Sequence, residues 1–520
     1  MTVDGRPSAE ARARRMPPER LVPLFFLLLG AFGTVPVVRS LYVADLNWCY
    51  PYVSSDGFDW INNGLYWAGA PLLPSYRPPG LPLLMALLVK LDALHVLPFL
   101  NFVALALTAC LLFAFLRERF SPLVSALTAW VFYANDFSQD LAKYVFAEVY
   151  ATLLLVLAAL LFLRAARRPI RYLSSGLVLG LSFLFHYAAL PAGIGFAIAV
   201  LCCRREHLRL RPLWLGAAAA TLIALGWMAA RSLYYRSHPG VPAHLALELV
   251  AFVPQNVLFY VVAGTALVGL VAAPLYILGA FRTFQPADEN VKAFQVSFLA
   301  PLVGLGTFFL FFYRWIDKRF LFYELPFLMV FFAGGADRLI DYGRRVRSLR
   351  AAIGAYLAVA VLWTQIRYPS YGIRVLALSP RDFLEFQTEG VARWTRLRLS
   401  GARVVRLNES LRASLSGGLF DFSLRSRACS LDTPEYAALL QLKTDLDERL
   451  GPGVPVALTP LSGWPADPWL CWNRLGNVIR RPVVRPGRAP CRVTDRETEG
   501  ETKEEALLLR SGPFRVVCPM

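Results

Sequence analysis

Charge is scarce in this sequence. Only 17% of its 520 residues are Asp, Glu, Lys or Arg, whereas 56% are hydrophobic and the mean hydropathy is +0.47. That balance excludes an ordinary soluble domain and points to many membrane spans. Acids are the scarcer sign, 36 against 54 Lys and Arg, for a net charge of +18. The excess base falls in short clusters between apolar runs, the pattern of cytoplasmic loops rather than of a nucleic-acid surface. None of the eight cysteines (Cys49, Cys110, Cys202, Cys203, Cys429, Cys471, Cys491 and Cys518) stands in a CxxC or zinc-type spacing. A metal cluster therefore has no ligand pattern to build on. No A-x-A cleavage site follows the first apolar run, so it reads as a retained helix. No internal repeat is visible, which argues against the symmetric halves of many transporters.

What is present is a series of apolar stretches. They lie near 21–38, 97–116, 121–135, 147–163, 172–186, 188–203, 213–230, 256–280, 296–313, 320–335 and 351–366. Each is about long enough to cross ~30 Å of hydrocarbon, with local thinning helping the short ones. Arg6, Arg12, Arg14, Arg15 and Arg20 place the N-terminus inside, and alternate connections should then be cytoplasmic. "RERF", "RAARRPIR", "RREHLRLR" and "DRLIDYGRRVRSLR" all fall inside on this count. The sequence thus predicts an all-α polytopic membrane domain of about eleven spans over 21–366, after a basic cytoplasmic N-terminus over 1–20. Residues 80–92 read as a helix lying at the interface, because a twelfth span would break the charge alternation.

From 367 to 520 the chain turns polar. "EYAALLQLKTDLDERLGPG" reads as an amphipathic helix with a Gly-Pro-Gly stop, and "VPVALT", "GNVIRRPVV" and "FRVV" read as strands. The expectation is a small α/β domain outside the cytoplasm. Its four cysteines allow three pairings if all are used. "NES" at Asn408 matches a glycosylation sequon, a match that arises readily by chance.

Between the first two apolar stretches stands "SDGFDWINNGLYWAGAPLLPSYRPPGLPLL", residues 55–84. Acids beside a bilayer are costly, and each is a functional hypothesis by default. The bland alternative is a solvated loop whose aromatics, Trp60, Tyr66 and Trp67, form an interfacial belt. Further acids and bases stand at span ends: Glu148 in "KYVFAEVYATLLLVLAALLFL", His186 in "SGLVLGLSFLFHYAALPAG", and Lys318 and Arg319 in "DKRFLFYELPFLMVFFAG".

In order and spacing these segments resemble the polytopic GT-C glycosyltransferases that use polyprenyl-phosphate sugars, such as the protein O-mannosyltransferases and the lipid A aminoarabinose transferase. In that family the first external loop begins with an aspartate, has an aromatic four residues on, and ends in a basic-Pro-Pro element leading into an apolar helix. Asp56 and Trp60 match the first part; Arg77, Pro78, Pro79 and Pro82, preceded by Tyr76, match the second. Gly57 departs from the pattern, since many members carry a second acid there: either Asp59 substitutes for it or Asp56 acts alone. Glu148 matches the acid that opens the fourth span. His186 stands where Arg or Lys is usual, and Arg319 with Phe320 matches a late Arg-Tyr element.

The resemblance implies transfer of a sugar from a polyprenyl-phosphate carrier to an extracytoplasmic glycolipid, polysaccharide or protein, with inversion. Asp56 would be the general base, with Glu148 and Asp59 as further candidate catalytic acids. Arg319, Lys318, Arg77, Tyr76, His186 and Trp60 would bind the donor. Arg suits the departing phosphate because it donates bidentately and keeps its proton. No histidine–carboxylate spacing demands a divalent cation, although Asp56 with Glu148 could hold one. The partners are the lipid-linked donor, the acceptor and the bilayer, and the compartment is the plasma (inner) membrane. Against this stand a transporter or flippase, and a non-catalytic component of envelope polysaccharide assembly.

Overall fold

The computed structural model describes most of residues 18–33, 55–237 and 250–364, together with 434–450 and five strands between 456 and 519. Residues 1–17, 34–54 and 365–433, and with them the Asn408 sequon, lie outside the described part. Helix α1 spans Pro18–Gly33, α2 Ser55–Trp67, α3 Gly80–Lys90, α4 Leu97–Leu116, α5 Pro122–Ala134, α6 Asp136–Lys143 and α7 Glu148–Ala165. They are followed by α8 Arg171–Phe185, α9 Ala189–Cys203, α10 Arg211–Ser237, α11 Ala273–Thr283, α12 Glu289–Phe311, α13 Leu321–Arg345 and α14 Arg350–Thr364. Among the described residues four helices are long and apolar enough to cross a bilayer: Leu94–Leu116, Glu148–Ala165, Arg211–Tyr234 and Glu289–Phe311. Helices α3, α5, α8 and α9 are apolar but shorter.

Helix α7 is the axis of the bundle. Seventy-two per cent of its apolar window is buried, against 6% for α10, which carries exposed Leu222 and Leu225 as a lipid-facing helix would. With lipid on one side and protein on the other, helix contact here rests on close packing more than on hydrophobic exclusion. Hence α8 and α10 meet through glycines: a methyl on Gly176 would collide with the carbonyl of Gly216. Buried hydroxyls then tie α8 to α7, Ser175 donating to the Ala158 carbonyl at 2.9 Å and Ser182 to that of Ala151 at 3.0 Å.

The basic end is knotted by Arg204. Its guanidinium is buried, stacks 4.7 Å over Phe162 and donates to the carbonyls of Phe162 and Ala293 and to the Tyr172 hydroxyl. One side chain therefore joins the ends of α7 and α9 to the starts of α8 and α12. Glu118 pairs nearby with Arg164 at 2.7 Å.

Two local rules set the opposite end. Pro79 immediately precedes α3, which begins at Gly80, as a Pro-fixed φ favours at a helix start. The preceding helix α2 stops at Trp67, near a left-handed Gly69 at φ +105°, well ahead of Arg77. Asn135 ends α5 and caps α6, its side-chain oxygen accepting the Phe137 N–H at 2.9 Å.

In the C-terminal region α15 (Pro434–Leu450) accompanies β1 (Val456–Leu458), β2 (Val483–Val484), β3 (Cys491–Thr494), β4 (Glu505–Ser511) and β5 (Phe514–Pro519). The strands form one sheet in the order β2-β1-β3-β5-β4, parallel from β2 to β3 and antiparallel from β3 to β4. Leu442 and Leu446, one turn apart on α15, are fully buried. Cys491 is disulfide-bonded.

Candidate functional site

The start of α7 lies about 27 Å from its basic end, at 1.5 Å per residue over 18 residues. Charges that the bundle should avoid collect there. Asp59, on the inner face of α2, is 2% exposed and accepts from Arg77 Nε at 2.5 Å. Asn63, one turn on, donates to the Asp59 backbone carbonyl at 2.8 Å. The Arg77 guanidinium also lies 5.0 Å over the ring of Trp60. The stretch from α2 to α3 thus folds back on itself: the acid and aromatic of α2 grip the arginine of the Arg-Pro-Pro element.

A second pair forms across the bundle. Glu148, the first residue of α7, is 2% exposed, and Arg319 Nε approaches its Oε1 at 3.5 Å. Its place at a helix N-terminus already favours a carboxylate there. The same guanidinium lies 4.9 Å from the ring of Phe146 and 5.5 Å from that of Phe320. Tyr323 connects the pairs, since Glu148, Arg319 and Arg77 all act electrostatically on its phenol. Arg77 and Arg231 act together on Tyr187, which also accepts from Trp227 Nε1 at 3.1 Å.

His186 ends α8 in an extended conformation. Its Nδ1 accepts the Ala188 N–H at 3.1 Å, a bond available only to the imidazole with that nitrogen unprotonated. Its ring lies 5.1 Å from that of Tyr323. The fixed positive charge usual at this place in the family is accordingly not reproduced by His186 in this geometry.

Of the residues singled out from the sequence, Asp59, Trp60, Arg77, Glu148, His186 and Arg319 converge on this end. The backbone of Asp56 lies in the first turn of α2, and that of Lys318 in the turn before α13. The side chains of Asp56 and Lys318, and Tyr76 as a whole, lie outside the described residues. The sequence reading missed two members: Tyr323 and Arg231, the latter 5% exposed. Arg231 had a legible signal, an arginine three residues past Met228 in a continuous helix, but it reads from sequence as the edge of a span. Among the described residues no group of three or more His, Cys, Asp or Glu is placed to hold a metal ion.

An apolar helical bundle that gathers arginines, carboxylates and aromatics at one end has the architecture of the polytopic GT-C glycosyltransferases, the class its motifs resemble. The comparisons agree. A family model described as dolichyl-phosphate-mannose-protein mannosyltransferase matches residues 76–229, under a third of the chain. The fold is similar to that of ArnT from Cupriavidus metallidurans, with TM-scores of 0.55 in its apo state and 0.54 when bound to undecaprenyl phosphate. In both cases identity is 14%, over 95% of this chain and 97% of that one. The Archaeoglobus fulgidus oligosaccharyltransferase is also similar, at 13% identity and a TM-score of 0.49 over 91% of this chain and 64% of that one. No curated protein sequence matches. The GT-C resemblance read from the motifs is thus supported by a sequence model and by the fold.

Proposed function

We propose that this protein is an integral membrane glycosyltransferase that moves a sugar from a polyprenyl-phosphate carrier to an acceptor outside the cytoplasm, with Asp56 as general base. The observation that carries the reading is the convergence of buried Arg77 and Arg231 and half-buried Arg319 with buried Glu148 at one end of an apolar bundle. Burying several cations beside a bilayer is costly unless an anion uses them, and a lipid phosphate is the anion a membrane delivers. That ArnT was solved with undecaprenyl phosphate bound fits the same donor class.

The step balances simply. The acceptor hydroxyl attacks the anomeric carbon from the face opposite the phosphate, and its proton passes to Asp56. The bond from the anomeric carbon to the phosphate oxygen breaks, and its electron pair leaves with the polyprenyl phosphate. The departing dianionic charge needs cationic donors, which Arg77 and Arg319 supply with bidentate geometry. Inversion follows from a single in-line displacement. Lys318 and Tyr76 complete the donor site in this reading, and Trp60 holds Arg77 in place. His186 faces the sugar with a neutral ring.

The site faces outward in this assignment, as does the region from 367 to 520. The disulfide at Cys491 supports that side, because such bonds persist in oxidising compartments. Cysteine tagging should place residue 10 and the loop near 345 inside, and residues 56 and 450 outside. A cytoplasmic residue 450 would remove the outward assignment of the C-terminal region.

The direct test supplies labelled undecaprenyl-phosphate sugars to the purified full chain and follows release of undecaprenyl phosphate. Arg319→Ala should weaken donor binding by about 10–100-fold, the worth of one or two charge-assisted hydrogen bonds. Arg319→Lys should recover only part, because the fork is lost. Equal donor affinity in both variants and the parent would make "RWIDKR" an interfacial anchor instead.

A further inference from the structure

Next to Tyr323 in the chain stands a buried acid that the chemistry above does not use. Glu324, in the first turn of α13, is 9% exposed. Among the described residues no side chain or backbone group forms a hydrogen bond or ion pair with it. An isolated carboxyl inside a membrane bundle is expensive, and such groups persist where something binds them.

It faces a glycine of the neighbouring helix. Helices α12 and α13 run antiparallel, with Phe309 stacked on Phe320 at 4.9 Å and on Tyr323 at 6.1 Å. One turn further in, α12 presents Gly306. Among the described residues, a methyl there would meet nothing closer than Glu324 Oε2, at 4.0 Å. Other glycines of these helices are different in kind: a methyl on Gly304 would strike the Pro191 carbonyl, and one on Gly335 the Leu275 carbonyl. Those glycines let helices touch, whereas Gly306 leaves room. A second polar group borders this region. The Tyr323 hydroxyl is fully buried and has no hydrogen-bond partner among the described residues, although it lies in the field of Arg319, Glu148 and Arg77. Two adjacent residues thus present polar atoms that the described residues do not satisfy, that of Tyr323 beside the charged cluster.

We propose that Glu324 reads the transferred sugar, accepting a hydrogen bond from a hydroxyl or amino group on the edge of the ring away from the anomeric carbon. This rests on the glycosyltransferase reading and adds a specificity residue to it. The phosphate sits with the arginines and the sugar extends past Tyr323 into the space before Gly306. A carboxyl group is suited to that task because its oxygens accept hydrogen bonds, and a ligand lacking the donor leaves a buried polar group unpaired.

The test measures binding of two probes to the full-length protein: undecaprenyl phosphate alone, and a set of undecaprenyl-phosphate sugars comprising a hexose, its ring-deoxy analogues and an amino sugar. Glu324→Leu should bind the best sugar-bearing donor about 10–100-fold more weakly while binding the bare carrier like the parent. Its melting temperature should be equal or higher, since it removes an unpartnered buried polar group. One deoxy analogue should bind the parent as weakly as the full sugar binds Glu324→Leu. If that analogue is the amino sugar's counterpart the recognised group is an ammonium, and otherwise a hydroxyl. Gly306→Leu, which fills the space against the carboxyl, should show the same sugar-selective loss, and Gly306→Ala should not. Equal affinity of parent and Glu324→Leu for every sugar, or an equal loss on the bare carrier, would overturn the inference alone. A parent that binds neither carrier nor donor would overturn the glycosyltransferase reading and this inference with it.

Discussion

Asp56→Asn should lower sugar transfer by roughly 10²–10⁴-fold, the range for losing a positioned general base, with folding and donor binding intact. The substitution keeps the shape of the side chain and removes its ability to take a proton. Asp56 and Asp59 are three residues apart on α2, a spacing that puts them on neighbouring positions of one helix face. Their expected roles nevertheless differ. Asp59 is already occupied by Arg77 at 2.5 Å, and a carboxylate held by a guanidinium is a poor proton acceptor because the pair stabilises its charged form. Single-turnover transfer of a labelled sugar measures the effect on chemistry, and carrier binding measured alongside separates it from binding. An active Asp56→Asn variant sinks the assignment. If instead Asp59→Asn abolishes transfer with the donor still bound, the base lies one turn further along the helix.

Arg77→Ala should be the most damaging single change to the fold of this end. Removing one partner of a buried ion pair strands the other, at a cost of about 3–5 kcal/mol; Asp59 and Arg77 are 2% and 9% exposed. The guanidinium also covers Trp60, so its loss uncovers the face of α2. Asp59→Asn alone should melt early for the same reason, leaving a buried cation. The double variant Asp59→Asn with Arg77→Gln should regain much of the melting temperature, because no charge is stranded. It should not regain donor affinity if Arg77 binds the lipid phosphate. Additive losses of stability in the double variant would show that the two residues are not coupled, and full donor affinity would remove Arg77 from the phosphate site.

Much of the helical frame was legible because it depends on local properties. Apolar runs such as 97–116 and 188–203 coincide with α4 and α9 to within a residue, since in a bilayer a continuous apolar segment must satisfy its own backbone as a helix. Caps and breaks were local too: Pro79 starts α3, and Asn135 separates α5 from α6. The end of α2 was not legible, because Trp67 to Arg77 carries no unique stop and the turn at Gly69 forms only where the chain folds back. The acids and arginines of the site could be picked out singly, as ionisable groups beside apolar runs. Their partners could not, because Asp59 with Arg77 and Glu148 with Arg319 are 18 and 171 positions apart, and only helix packing brings such distant residues within reach. Arg231 and Tyr323 were missed for the same reason: a side chain near the end of a span reads alike whether it faces water, lipid or protein. The open space before Gly306 is the extreme case. In sequence Gly304 and Gly306 look equivalent, and only the rotation of α12 against its neighbours decides that one packs against a carbonyl and the other faces Glu324. Composition and periodicity thus determined that this chain is a membrane bundle with charged ends, whereas the pairing of those charges, being set by contacts between helices far apart in the chain, was decided by the tertiary structure alone.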